Sequence, residues 1–310
     1  MKRWWLRPAV RLAAALLLPV LVPAVITALI WLLPGDPASI ICPPESCGAS
    51  SASLAARWHL DAGPWYFFTQ WGSAALQGDF GSSWRLVQGV GIGGMLAESI
   101  PNTLMLLAFA LVPVSVGVVS AASEALPAKL DPVLYLIGLV PALLLAIMAA
   151  AITELTMGSG SLEGTGQWVR LLLGAGVLGI ADGAFSGAVT GTRGVFAREN
   201  QQRYVGVSIL RGETALSNTL PNVAPALAGQ LRARAVQLLS GAVIVEVILR
   251  INGLGDLLWG GTLLQDFGVV LACATCFALI CSALLVLQAL IEISVAAWIR
   301  RAPALPGEVG

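Results

Sequence analysis

From Leu12 to Leu33 the chain carries no charged residue, and five more charge-poor stretches follow near 101–123, 131–153, 169–191, 224–249 and 268–298. Each is long enough to cross about 30 Å of hydrocarbon, which takes roughly 20 helical residues. Lipid offers the backbone no hydrogen-bonding partners, so such segments must satisfy their own N–H and C=O groups as helices. The expected fold is all-α, a polytopic membrane protein with six transmembrane helices. Composition agrees, since 57% of the 310 residues are apolar and 11% are charged, a balance foreign to water-soluble enzymes. The first stretch follows Lys2, Arg3, Arg7 and Arg11 like a secretion signal, but it ends in Leu-Pro-Gly-Asp without an A-x-A site. It reads as a retained helix.

Orientation follows from Lys and Arg, which stay on the cytoplasmic side. With the amino terminus inside, Lys2, Arg3, Arg7, Arg11, Lys129, Arg193, Arg198, Arg203, Arg211, Arg300 and Arg301 are cytoplasmic, against Arg57, Arg85, Arg170 and Arg250 outside. Both termini are therefore expected in the cytoplasm. The chain divides into 1–33, the cytoplasmic amino terminus and first span; 34–100, an external loop with short helices near 51–60 and 64–76; and 101–310, a five-helix core with a cytoplasmic loop at 192–223. Trp65, Tyr66, Phe67, Phe68 and Trp71 suit a membrane interface. Gly179, Gly183, Gly187 and Gly191 recur every four residues in the fourth span, a spacing that lets helices approach closely, either within the chain or at a subunit interface.

Little in the chain resembles catalytic chemistry. Lys+Arg and Asp+Glu balance at 17 each, leaving no basic excess for a nucleic acid. Neither Lys2 nor Lys129 follows a phosphate-binding glycine loop. Gly89, Gly91 and Gly94 fit G-x-G-x-x-G, but outside the βαβ unit in which that pattern binds a dinucleotide. The single histidine, His59, cannot build a paired-histidine metal site. Cys273, Cys276 and Cys281 fall in an apolar span as small hydrophobes. Cys42 and Cys47, in ICPPESC on the external side, are either free or bridged, a disulfide being permitted in an oxidising periplasm.

Five phrases run in order along the chain: LPGDPA (Leu33 to Ala38), HLDAGP (His59 to Pro64), GDFGSS (Gly78 to Ser83), SIPNTLML (Ser99 to Leu106) and LLSGAVIVEVILRINGLGDLL (Leu238 to Leu258). Together they resemble the first permease subunit of the dipeptide, oligopeptide and nickel ABC importers, whose pattern near the end is G-A-hydrophobic-E-x-x-F-x-x-P-G-L-G. The resemblance implies type I importer architecture and half of a heterodimeric translocation pathway. It also implies a second permease, two cytoplasmic ATPases that hold the ATP and Mg, and a periplasmic solute-binding protein; no cofactor is expected on this chain.

In such permeases a short cytoplasmic helix docks in a groove of the ATPase. Its counterpart here would be Tyr204, Val205, Arg211, Gly212 and Glu213, with Pro221 and Pro225 resembling the family's closing proline. Between Gly212 and Pro225 the chain is about five residues shorter than the family pattern, roughly 7 Å of helix. Asn252 replaces the proline of P-G-L-G, and Gln265-Asp266-Phe267-Gly268 replaces R-D-Y-P. These departures bear on ATPase coupling more than on fold, and they motivate a second reading, a permease-derived scaffold that does not transport. An ion channel is less favoured, because no span carries a repeated polar stripe.

Asp182, Arg232, Arg234, Glu246, Gln288 and Glu292 fall within the expected spans, where an ionised group at mid-bilayer costs about 2.5–3.5 kcal/mol. They should face the bundle interior, water or one another. Arg232 stands at a glycine of the family pattern, and Asp182 is a candidate neutralising partner. Glu246 matches the family's glutamate and is read as a wet, partly buried anchor for the following loop, the alternative being a gate. Gln288 and Glu292, four apart on one helix face, suit interhelical hydrogen bonds.

Overall fold

A computed structural model describes residues 6–32, 56, 60–158, 166–212 and 215–301. Eleven α-helices are named among them: α1 (Leu6–Leu32), α2 (Pro64–Ala75), α3 (Ile92–Ala122), α4 (Asp131–Gly138), α5 (Ala142–Met157), α6 (Gln167–Ile180), α7 (Ala184–Asn200), α8 (Arg203–Leu210), α9 (Ala215–Ile248), α10 (Leu254–Leu263) and α11 (Phe267–Arg301). Cys42, Cys47, His59 and Glu213 lie outside the described residues, as does most of the helix expected near 51–60. The helix expected near 64–76 is α2.

Among the described residues four helical stretches are long and apolar enough to cross a membrane: Pro8–Leu32, Ile92–Ala122, Gln167–Asn200 and Phe267–Trp298. The region expected as the third span is two helices, α4 and α5, bent by 78°, and counting that pair as one span makes five. All but the last residue of the stretch expected at 224–249 lies inside α9, whose 34 residues extend about 50 Å at 1.5 Å each. Gln230, Arg232, Arg234 and Gln237 make it more polar than the others.

Two breaks explain each other. Pro141 supplies no N–H and disfavours helix at Val140, which ends α4. Between α6 and α7, Asp182 (φ 52°) and Gly183 (φ 71°) turn left-handed, a conformation that aspartate and glycine tolerate better than most residues. The Asp182 amide donates to the Val140 carbonyl at 3.0 Å, and the Ala142 amide donates to Asp182 Oδ1 at 3.3 Å. Each interrupted helix thus meets backbone groups that the other leaves open. Gly138 is required by proximity, because a Cβ there would collide with Ser186 and approach Gly183.

The core lies where α3, α5, α6, α7 and α9 converge, on Leu106, Ala110, Val114, Ala146, Leu171, Ala175, Ala188, Leu238, Ala242 and Val245. Alanines at these contacts let helices approach closely where lipid supplies no hydrophobic drive. α1 packs along α11, and Ile30, Phe67, Trp71 and Leu271 join α1, α2 and α11 in a second apolar cluster. Phe67 and Trp71 are therefore packed inside the protein, while Trp65 remains exposed and free to lie at an interface. The expected glycine stripe does not form one face, because the break at Ala181–Gly183 intervenes. Gly179 abuts Pro113 of α3, whereas Gly187 and Gly191 make room for Arg234 and Gln230 of α9.

Candidate translocation and coupling sites

The intramembrane polar residues form separate groups. In one, Arg11 of α1 is ion-paired with Glu292 of α11. Gln288 Nε2 donates to Glu292 Oε1 at 3.1 Å, and Arg232 Nε of α9 donates to Gln288 Oε1 at 2.6 Å. This chain of contacts ties α1, α11 and α9 together. It places Gln288 and Glu292 in the interhelical bonding that their spacing suggests, with Arg11 as a partner that sequence reasoning missed. Arg11 and Glu292 are 281 positions apart, and no local pattern relates them.

The second group surrounds the break. Arg234 donates to Gln237 Oε1 at 2.7 Å, and Gln237 Nε2 donates to the Asp182 carbonyl at 2.6 Å. Asp182 does not neutralise Arg232: its carboxylate accepts from the Ala142 amide, and Gln288 takes the Arg232 guanidinium. The left-handed turn brings the Asp182 carboxylate to the first amide of α5. Among the described residues neither Arg232 nor Arg234 has a carboxylate at ion-pairing distance.

Glu246 is fully buried near the C-terminal end of α9. Its Oε1 accepts from Thr103 Oγ1 at 2.7 Å, and its Oε2 accepts from the Gly255 and Asp256 amides at 2.7 and 3.3 Å. Thr103 Oγ1 in turn accepts from the Leu254 amide at 2.7 Å. A carboxylate here satisfies the open N–H groups of the first turn of α10 and opposes its dipole. The glycines of NGLGDLL follow from this, since a Cβ on Gly253 or Gly255 would strike the carboxylate. The anchor expected at Glu246 is present, but it is buried rather than wet. Asn252 keeps a role that needs no proline: its carbonyl accepts from Asn102 Nδ2 at 2.7 Å.

A comparable carboxylate, Asp266, escaped sequence reasoning. It is fully buried, and its Oδ2 accepts from Ser83 Oγ at 2.6 Å and from the Trp84, Arg85 and Leu86 amides at 3.0, 3.0 and 3.2 Å. Oδ1 accepts from Val269 N at 3.3 Å, at the start of α11. GDFGSS is thus the approach to a backbone cradle for Asp266. The available signal was the aspartate kept in QDFG where the family has R-D-Y-P. Gly89 and Gly91 belong to the turn leading into α3, where Ser82 and Gly91 form an isolated bridge.

At the segment expected to couple, α7 continues to Asn200 and α9 begins at Ala215, so much of 192–223 is helix and not loop. Pro221 and Pro225 lie inside α9 and do not close the segment before it. As the seventh and eleventh residues of α9 they lie beyond its first turn, and each removes one intrahelical N–H donor. Val205 anchors α8 by burial. Tyr204 OH donates to Glu199 Oε1 at 2.6 Å and accepts from Asn222 Nδ2 at 2.8 Å. Burial, and then the hydrogen bond to Glu199, raises the Tyr204 phenol above its ordinary pKa. Val207 and Leu210 project outward, Leu210 at 89% exposure. Arg211 is also exposed, and Gly212 adopts φ 79°. Beside this segment a cleft of about 430 Å³ lies between the end of α3, α7 and Thr219 of α9, lined by Arg193, which is ion-paired with Asp131.

The outward face of α9 differs from the others. Exposed positions on α1 are Leu16, Leu17, Val20, Leu21 and Val25, and those on α5 are Leu143, Leu144, Ile147 and Met148, as lipid requires. On α9 the exposed Asn222, Ala226, Ala233 and Ser240 recur at helical spacing. Apart from Leu220 and Ile244, exposed toward its two ends, the outward residues are small or polar, giving a middle stretch that suits a close neighbour or a solute better than acyl chains.

The family of binding-protein-dependent transport system inner membrane components matches residues 113–296. Over 261 residues the chain is 26% identical to the glutathione transport system permease protein GsiC of Shigella boydii, covering 81% of this chain and 84% of that protein. The same identity and coverage hold for the proteins of that name from Escherichia coli K12 and Salmonella paratyphi A.

Proposed function

The chain belongs to the family of inner membrane components of binding-protein-dependent transport systems, and from that membership we propose that it forms half of a translocation pathway for short peptides or similar small polar solutes. It is a multi-pass inner-membrane protein of an ABC importer, a transport subunit and not an enzyme. In this reading it crosses the membrane six times, α9 included, with both termini in the cytoplasm. A second permease completes the pathway, two cytoplasmic ATPases hold ATP and Mg and supply the energy, and a periplasmic binding protein delivers the solute. The relatives transport glutathione, itself a short peptide.

The small, weakly polar face of α9 is the observation that carries the pathway assignment. Between Leu220 and Ile244, a span with Asn222, Ala226, Ala233 and Ser240 outward gains little from lipid there, and it offers a sister helix close approach or a solute a surface of low apolar demand. Coupling is assigned to α8, where Val207 and Leu210 present apolar side chains on a segment read as cytoplasmic. An ATPase groove would cover them.

The test is a mild-detergent pull-down followed by reconstitution of what is recovered. Co-recovery of a sister permease and two ATPases, with hydrolysis stimulated by solute-loaded binding protein, is the expected result. Recovery of other membrane proteins with no nucleotide hydrolase would replace transport with the scaffold reading.

A further inference from the structure

A cavity of about 190 Å³ lies between α3, α9 and α11, walled by Leu111, Leu231, Leu284, Leu287 and Ile291 and closed on one side by Arg232 and Gln288. Its lining is apolar except for that guanidinium, that amide and Ser115. Among the described residues no carboxylate pairs with Arg232: its Nε is held by a neutral amide, and the nearby Glu292 is ion-paired with Arg11. Arg11, Glu292 and Arg232 together leave one net positive charge beside a greasy recess.

Charge and surroundings identify the occupant. Arg11 lies five residues from the start of α1, and Glu292 lies nine residues from the end of α11, about 7 Å and 13 Å along the helices. Gln288, which holds Arg232 at the cavity, lies a further turn into α11, about 20 Å from that end. The cavity opens beside Leu287, which is 55% exposed, and Leu290 and Val286 are exposed on the same helix. A water-borne solute would have to cross that apolar rim, whereas a lipid already lies against it. We infer that the cavity between α3, α9 and α11 is a site for an anionic phospholipid, with the phosphate held by Arg232 and an acyl segment lying on Leu111, Leu231 and Leu287. Arg232 remains tied to Gln288, so the bound phosphate steadies the contacts that join α1 and α11 to α9.

The experiment uses the intact complex in nanodiscs of mixed phosphatidylglycerol and phosphatidylcholine, with retained lipid counted by native mass spectrometry. The wild type should retain phosphatidylglycerol in preference to phosphatidylcholine. Arg232→Gln should weaken that retention about tenfold, the scale of one lost charge-assisted contact, while Arg232→Lys and Arg234→Gln keep most of it. Should Arg232→Gln not assemble, Leu287→Trp, which fills the mouth from an exposed position, should cause the same loss. Equal retention in the wild type and the variant that assembles, or retention without headgroup preference, would overturn the assignment. So would release of the lipid by a soluble acidic tripeptide, which would place Arg232 on the solute path instead. None of these outcomes depends on whether the complex transports.

Discussion

At its C-terminal end α9 buries Glu246 and surrounds it with the Thr103 hydroxyl and the Gly255 and Asp256 amides; three to four turns earlier the same helix carries Arg232 and Arg234, which among the described residues are held by the neutral amides of Gln288 and Gln237. The first arrangement matches the charge with several fixed donors, so its geometry is rigid and its field is spent locally. The second orients each guanidinium but leaves its charge available. A polar group in an apolar setting can therefore act as a fastener or as a contact point, and its partners decide which. Asp266, with its cradle of amides, belongs with Glu246; the exposed end of α8 lies at the other extreme.

The sharpest attack on this contrast is Glu246→Ala. It strands the Thr103 hydroxyl and the Gly255 amide without their acceptor, at about 1–3 kcal/mol each, in a protein whose total stability is on the order of 5–15 kcal/mol. Size-exclusion yield and thermal aggregation should show loss of the assembled complex, and Gly253→Ala, which drives a methyl into the same carboxylate, should behave alike. A normal melting profile for either would end the fastener reading. Asp266→Ala should also destabilise, by about 2–4 kcal/mol, and should make the 83–86 segment more accessible to limited proteolysis.

The double change Val207→Asp, Leu210→Asp probes the opposite region. Both side chains are already exposed, so the melting temperature should stay within about 2 °C of the parent, while solute-stimulated ATP hydrolysis falls at least about tenfold. Unchanged hydrolysis would remove coupling from α8. The smallest effect is expected from Tyr204→Phe, which loses hydrogen bonds to Glu199 and Asn222 that are largely exposed. It should cost about 0.5–1 kcal/mol and reduce coupled hydrolysis less than twofold; a larger loss would show that the tilt of α8 depends on that phenol.

Legibility differed by the range of the interaction. Gln288 and Glu292 were readable as a pair because four residues return to one helix face. Glu246 stood out because a carboxylate in an apolar run demands an explanation and because NGLGDLL follows it closely. Its actual dryness was not readable, since burial depends on Thr103 arriving from α3. Asp266 sits in a polar turn that looks ordinary, and its donors lie some 180 positions earlier in the chain. Asp182 on the neighbouring span was a candidate partner for Arg232, which instead meets an amide on α11. The third and fourth spans read as continuous because composition reports apolar length and not the break that Pro141 and Asp182 share.

What the amino-acid order settles unaided is that this chain is helical and belongs in a bilayer: hydropathy and helix closure act over roughly twenty neighbouring residues, so every one of the apolar stretches carries its own instruction. Which buried charges are matched, which glycine admits which side chain, and how two broken helices complete each other were decided only in three dimensions. Those outcomes depend on distances of about 3 Å between groups far apart in the chain, and only the packed helices set such distances.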